Sequence, residues 1–172
     1  MNGIYIANLG KYNEGEMVGG WFMLGQEEEE LNAFLKEVVG INKEYEEWFI
    51  ADTDIYDLDL EISEYENIYS LNEMFARYEE LSSYEKEVVQ AITEIMSGAE
   101  TLDDAIDKLD DYSLYPDIQN DYDLGYAYIH EWGCVDTRNL GFLSSYIDYE
   151  ALGRDLDLDG MGSFTSKGFL LN

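Results

Sequence analysis

Hydrophobic positions in the first third of the chain fall in short runs typical of strands. Residues 3–9 and 16–24 are predicted to form two strands separated by a turn from Gly10 to Gly15. Over residues 27–39 the apolar positions recur with the spacing of a helix. A third strand is predicted around residues 47–51. This order predicts a small three-stranded sheet with one helix.

The hydrophobic period becomes helical in the middle of the chain. Three helices are predicted there, and each is preceded by a Ser or Thr with an acidic residue three positions later, the pattern of a capping box. These pairs are Ser70 with Glu73, Ser82 with Glu85, and Thr101 with Asp104. Gly98 is a candidate for the stop of the second helix.

The last third of the chain mixes both types of element after Pro116. A helix capped by Asp121 or Asp123 is predicted to run to Trp132, although Tyr126 and Tyr128 also fit a strand. Two shorter helices and two closing strands should follow. They are placed around Gly141–Tyr146, Tyr149–Arg154, Ser163–Thr165 and Phe169–Leu171.

Together these elements predict an α+β fold. We expect an elongated chain of small domains: an N-terminal three-stranded antiparallel sheet with a helix, a central helical bundle, and a C-terminal mixed α/β unit. The predicted domains are residues 1–62, 63–111 and 112–172.

The charge of the chain restricts its partners. The 172 residues include 39 Asp and Glu but only 9 Lys and Arg, for a formal net charge of −30, whereas 46% of the residues are hydrophobic, as in a chain that folds. Nucleic acid and anionic membrane surfaces would repel such a protein. No apolar run approaches the roughly 20 residues that span a bilayer. The expected partners are therefore basic: a nucleic-acid-binding groove, a polycation or metal ions.

Two stretches place carboxylates at regular intervals. Asp57, Asp59 and Glu61 alternate with apolar residues, and if this stretch is extended they lie about 6.6 Å apart. The outer face of the third central helix carries Asp103, Asp107, Asp110 and Asp111, and acids at helical spacing lie roughly 5–6 Å apart. Both spacings are on the scale of neighbouring charges along a nucleic-acid strand. The chain has too few lysines to pair these acids along the helix.

The usual signatures of catalysis and metal binding are weak. His130 and Cys134 are the only residues of their kinds, and a zinc site needs about four ligands. One cysteine forms no internal disulfide, and the N-terminus does not look like a signal peptide, so we expect a cytoplasmic protein. We predict no enzyme, no cofactor and no metal.

The stretch from Asp155 to Gly160 matches the first half of a calcium-binding EF-hand loop. Asp155, Asp157 and Asp159 fit the pattern, but position twelve is Ser166 instead of the bidentate Glu. Calcium binding therefore stays a minor alternative.

Three segments carry a resemblance to a known family. They are IYIANLGKYNEGEMVGGWFML near the start, NDYDLGYAYIHEWG at 120–133 and YIDYEALGRDLDLDGMGSFTSKGFLLN at the end. The chain resembles the ArdA antirestriction proteins, DNA mimics that inhibit type I restriction–modification enzymes. The resemblance implies three small domains in an elongated molecule that dimerises through its C-terminal part. It also implies a bent, DNA-like acidic surface that occupies the DNA-binding groove of the enzyme's specificity and modification subunits.

The resemblance implies further properties. Genes of this family commonly lie on plasmids and conjugative transposons, and the segment from Asp117 to Glu131 corresponds to the family's antirestriction motif.

The DNA-mimic surface is expected to include Asp57, Asp59, Glu61, Asp103, Asp104, Asp107, Asp110, Asp111, Asp117, Asp121, Asp123 and Glu131. The homodimer interface is expected to include Leu124, Tyr126, Tyr128, Phe142 and Tyr146.

Other interpretations stay open at this point. Any one of the acids could be an ordinary solvated side chain, and the five interface candidates could be ordinary domain core. The whole chain could be a halophilic protein that needs its charge for solubility, or a calcium-binding acidic protein. It could also be an acidic mimic directed at another DNA-binding protein.

Overall fold

The computed structural model describes residues 2–98, 100–133 and 136–172, which form two compact units. The first unit contains the chain through Lys86 together with Ser97–Ile106, and the second contains Glu87–Met96 and Asp107–Asn172. Each unit has its own sheet. The fold class is α+β as predicted, with an N-terminal three-stranded antiparallel sheet and helix, helices in the middle and strands at the C-terminus. The division into three domains stays a prediction.

The N-terminal sheet consists of β1 (Gly3–Asn8), β2 (Gly19–Met23) and β3 (Trp48–Asp54). All pairing is antiparallel, with β1 in the centre. Ile4 and Ile6 of β1 are fully buried. The helix α2 (Glu28–Glu37) packs on the sheet through Phe34, whose ring centroid lies 5.2 Å from that of Phe22. The three predicted strands and this helix are thereby confirmed.

The predicted turn from Gly10 to Gly15 is wrong in part, because Leu9–Asn13 forms a short helix, α1. Asn8 causes it to begin there. Its side-chain oxygen accepts a hydrogen bond from the Lys11 backbone N–H at 3.0 Å, while its amide nitrogen donates to Val39 O at 3.1 Å. A buried asparagine thus caps α1 and fixes it to the chain after α2.

The stretch with alternating Asp57, Asp59 and Glu61 is not an extended ribbon. The structure assigns no strand between β3 and residue 68, and Asp57 has a positive φ of 59° that interrupts extended backbone. The predicted alternation is seen only in which side chains are buried, since Leu58 is buried and the three acids are exposed. The regular spacing of about 6.6 Å therefore does not hold here.

Three helices follow: α3 (Ile68–Glu80), α4 (Ser83–Ile95) and α5 (Leu102–Asp107). Two predicted capping boxes are confirmed. The Glu85 carboxylate accepts from Ser82 N at 2.8 Å, and the Asp104 carboxylate accepts from Thr101 N at 2.7 Å.

Two other helix boundaries were predicted wrongly. The helix α3 begins before Ser70, because the side chain of Asn67 accepts from the backbone N–H groups of Tyr69 and Ser70. Gly98 does not terminate α4, which ends at Ile95.

The second sheet consists of β4 (Ser113–Tyr115), β5 (Gly162–Thr165) and β6 (Gly168–Leu171), with β6 in the centre and both pairings antiparallel. The predicted closing strands are confirmed, whereas β4 was missed. Against this sheet lie α6 (Asp121–His130) and α7 (Tyr149–Leu158). The buried core of this unit is formed by Ile118, Leu124, Ala127 and Phe169.

The two C-terminal helices differ from the prediction at their ends. Asn120 caps α6, in place of Asp121 or Asp123, by accepting from Asp123 N at 3.0 Å. The helix ends at His130, before Trp132, and α7 continues past Arg154 to Leu158. The predicted helix at Gly141–Tyr146 is a 3₁₀ helix.

Two glycines allow α6 and α7 to approach closely. A Cβ atom at Gly125 would lie 2.0 Å from the carbonyl oxygen of Tyr149, and one at Gly153 would lie 1.7 Å from that of Asp121. Both contacts are with backbone, so no side-chain rotation could relieve them. The pair of helices therefore depends on these two residues.

Candidate acidic interaction surface

The predicted acids lie at the surface of both units. Nine of the twelve are exposed and three are half-buried, namely Asp103, Asp121 and Asp123. None is buried, as expected for carboxylates that cannot all find a cation. These acids lie on several helices and turns, and no single pocket contains all twelve.

At least four of these acids also have a local structural role. Asp103 forms an ion pair with Arg77 at 2.5 Å, and Asp121 lies 3.7 Å from the guanidinium of Arg154. Asp104 belongs to the capping box of α5. Asp123 accepts from Gln119 N at 3.1 Å and from the Asn120 amide at 2.8 Å. Substitution of these four would change stability as well as surface charge.

Three of the acids lie in a short segment that begins at the last residue of α5. Leu102, Ala105 and Ile106 are buried, so the opposite positions of the helix face solvent. Asp107 lies at the end of α5, and Asp110 and Asp111 lie in the 3₁₀ helix that follows. All three are exposed.

A further acidic cluster, at the start of α2, was not included in the predicted surface. Glu28, Glu29 and Glu30 form the first turn of α2, and all are exposed. Their favourable interaction with the helix dipole is enough to explain why acidic residues occur at this point of the sequence. Their exposure adds them to the candidate surface.

Asn72 of α3 positions the loop that leads into this cluster. Its side-chain oxygen accepts from Gly25 N at 2.9 Å and Gln26 N at 3.1 Å, and its amide donates to Gln26 O at 2.7 Å. Only 5% of Asn72 is exposed. No local sequence signal marks this residue, because its partners lie more than 40 positions away.

Hydrogen bonds lower the pKa of two surface carboxyls. The Lys11 ammonium and then the Tyr45 hydroxyl hold the pKa of Glu14 below its usual value. The pKa of Lys11 is raised by its own contacts with Glu14 and then with Tyr45. The side chain and then the backbone N–H of Ser82 lower the pKa of Glu85. Both carboxyls therefore stay ionised under mildly acidic conditions.

The predicted interface residues fall into two groups. Leu124 is fully buried in the core of its own unit, so in this structure it offers no surface to a second chain. Phe142 and Tyr146 are each 77% exposed, Tyr126 is exposed and Tyr128 is half-buried. The neighbouring Leu143 is exposed as well, which gives an apolar patch formed by Phe142, Leu143 and Tyr146.

An aromatic cluster covers the junction of α6 and α7. The ring centroids of Tyr122 and Tyr126 lie 6.4 Å apart with 18° between their planes, and Tyr149 lies 5.4 Å from each. The His130 ring lies 4.5 Å from Tyr126. His130 Nε2 and the Tyr149 hydroxyl share a hydrogen bond of 2.7 Å. The single histidine is thus part of an aromatic contact, while Cys134 lies outside the described residues.

The EF-hand alternative is wrong, because Asp155 and Asp157 lie within α7 and not in a loop. Across the described ranges, no group of three or more His, Cys, Asp or Glu side chains is arranged to hold a metal ion. No helix in the described part of the chain is long and apolar enough to cross a membrane.

These features define a strongly acidic α+β protein whose main surface property is its carboxylates. The family model for the antirestriction protein ArdA matches residues 4–171, and the chain therefore belongs to the ArdA family. Membership implies antirestriction activity through interaction with restriction–modification enzymes, as an inhibitor. A comparison with curated proteins found no match.

Proposed function

We propose that this protein blocks restriction by mimicking the charge and shape of bent B-form DNA. The observation that carries the proposal is the solvent-accessible position of all twelve candidate acids in a chain of net charge −30. A DNA-binding groove attracts a polyanion independently of base sequence, because phosphate contacts supply most of its non-specific affinity. A folded polyanion can therefore compete for it.

The helical acids have a suitable spacing for this role. Carboxylates three or four positions apart on a helix lie roughly 5–6 Å from one another. Duplex DNA carries about one charge per 1.7 Å of its axis, counted over both strands. A single helix face is less densely charged than the duplex, so the mimic requires acids from several elements. The acids at the end of α5, just after it and on α6 belong to the second unit and would contribute to one such surface, and those at the start of α2 would contribute on the first unit.

The proposed target is a type I restriction–modification enzyme. The protein would occupy the DNA-binding groove formed by the specificity and modification subunits, without chemistry of its own. The choice of this enzyme class rests on the resemblance of the two terminal segments and of residues 120–133 to the family. A cytoplasmic location and a gene on a plasmid or conjugative transposon fit this role, since incoming DNA is what restriction attacks.

We also propose that the protein acts as a homodimer. Two chains of −30 repel each other, so only an apolar contact can hold them together. Phe142, Leu143 and Tyr146 form an exposed apolar patch that could supply it, with Tyr126 and Tyr128 as further candidates. A dimer would present two acidic surfaces to one enzyme.

A competition assay tests the proposal. A purified type I enzyme bound to its labelled DNA site is titrated with this protein at two salt concentrations. We expect displacement at near-stoichiometric protein, weakened by salt. Absence of displacement by folded protein would contradict the type I target, and displacement of DNA from an unrelated DNA-binding protein alone would assign a different one.

Variants in which acidic side chains are replaced by uncharged amides test whether inhibition depends on one site or on the whole acidic surface. Asp107, Asp110 and Asp111 are replaced by Asn in one variant, and Glu28, Glu29 and Glu30 by Gln in another. A distributed electrostatic surface predicts that each triple change weakens inhibition by a similar factor, about three- to tenfold. Loss of inhibition in one variant and none in the other would instead indicate a local binding site.

A further inference from the structure

The surface of α6 contains a groove whose lining is aromatic as well as acidic. Its volume is about 340 Å³. The buried Ile118 and Ala127 contribute to its lining, and the exposed rings of Tyr122 and Tyr126 line it too. We call it the α6 groove. The other described residues of its lining are the acids Asp117, Asp123 and Glu131.

The rings of the α6 groove are held in place from α7. Tyr149 contacts both Tyr122 and Tyr126, and its hydroxyl shares a hydrogen bond with His130. The two groove rings lie nearly parallel, with 18° between their planes. A preorganised pair of rings loses little conformational entropy when a ligand binds against it.

Two of the three carboxylates are available to a ligand. Asp123 is engaged in the cap of α6. Asp117 and Glu131 are exposed, and neither side chain forms a hydrogen bond or ion pair within the described parts of the chain. Among the residues that the structure describes, the groove lining contains no lysine or arginine. Its charge therefore favours a cation.

We propose that the α6 groove binds an arginine side chain of the basic partner protein. A guanidinium is planar, stacks on aromatic faces and pairs with carboxylates through two parallel hydrogen bonds. Its attraction to a tyrosine ring is strongest where both are shielded from water. Lysine is a strongly hydrated point charge and fits such a groove less well. The inference rests on the proposed function and adds to it an anchor that charge mimicry alone does not require.

The test uses peptides and does not involve a restriction enzyme. The full-length protein is titrated with hexa-arginine and with hexa-lysine at equal salt, and the ratio of their dissociation constants is measured. Both peptides carry the same charge, so the ratio reports chemistry beyond charge. We expect Tyr122→Leu to lower the arginine preference about two- to fivefold and Tyr122→Phe to retain it.

The matched control is the Tyr65→Leu, Tyr84→Leu double variant. Both residues are exposed tyrosines outside the groove, with exposures of 67% and 54%. This variant should leave the arginine preference unchanged. Tyr122 is chosen over Tyr126 because Tyr126 is also a candidate for the dimer interface. The ring resonances of Tyr122 should shift with hexa-arginine in NMR spectra of the parent protein.

The outcomes separate this inference from the proposed function. An arginine preference that survives Tyr122→Leu would overturn the arginine site even if the protein displaces DNA from its enzyme. A preference that falls in Tyr122→Leu but not in the control supports the site, whatever the competition assay shows. In that case a failed competition assay would overturn the type I target alone.

Discussion

At the scale of single residues, Asn72 makes the most specific contribution to the acidic surface. Its three hydrogen bonds join α3 to the loop before α2. Glu28, Glu29 and Glu30 form the first turn of α2, directly after this loop. We expect Asn72→Ala to lower the free energy of unfolding by about 2–4 kcal/mol, because two backbone donors and one acceptor lose their partner. Urea denaturation measures this as a lower midpoint at unchanged slope.

Asn32→Ala is the matched control for Asn72. Asn32 is exposed on α2, and its side-chain oxygen accepts a hydrogen bond from the hydroxyl of the half-buried Tyr69 at 2.9 Å. The expected change is within about 0.5 kcal/mol. Equal stability of the two variants would show that the Asn72 bonds are exchanged for water without loss.

At the scale of elements, the contact of α6 with α7 depends on Gly125 and Gly153. An alanine within a helix ordinarily stabilises it by about 1 kcal/mol relative to glycine. At Gly153 the added Cβ would meet the Asp121 carbonyl at 1.7 Å, so α7 would have to move away. We expect Gly153→Ala to destabilise the protein by about 2 kcal/mol or more, since backbone cannot rotate away as a side chain can.

Thermal unfolding and near-UV circular dichroism measure this effect. The dichroism should weaken, because Tyr149 on α7 contacts Tyr122 and Tyr126 on α6. Glu150→Ala, at an exposed position of the same helix, serves as control and should change stability little. A gain of stability in Gly153→Ala would mean that the helices separate without cost.

Sequence patterns predicted elements well where their signal is local. The boxes at Ser82 and Thr101 and the strands β5 and β6 were found, because each has its own period or cap. The helix α1 was missed because its cap, Asn8, is also the last residue of a strand. The strand β4 has three residues and exists only through pairing with β6, more than 50 positions away.

The candidate site shows the same limit. The acids could be predicted as exposed, because burial of an unpaired carboxylate is costly. The burial of Leu124 could not be separated from an interface role, because both explain an apolar residue on a helix. The α6 groove arises from Asp117 in a loop and from α6 residues whose rings contact α7. No spacing along the chain reveals that combination.

At the scale of the whole molecule, the high net charge should make salt act in opposite directions on dimerisation and on binding to the enzyme. Self-association brings two chains of −30 together, so salt screens a repulsion and should strengthen the dimer. Binding to a basic groove is an attraction, so salt should weaken it, by about tenfold or more between 50 and 200 mM. Equilibrium sedimentation measures the first and displacement of labelled DNA the second, over the same salt series.

A variant without the apolar patch separates the two effects. Phe142→Asp with Tyr146→Asp should give a monomer at all salt concentrations, because both side chains are exposed and a monomer has no need of them. Its displacement of DNA should still weaken with salt, since the acids that meet the enzyme remain. Salt trends of the same sign in both associations of the parent protein would contradict this account. So would a dimer that survives the double substitution, because then a surface other than Phe142, Leu143 and Tyr146 would have to overcome the repulsion.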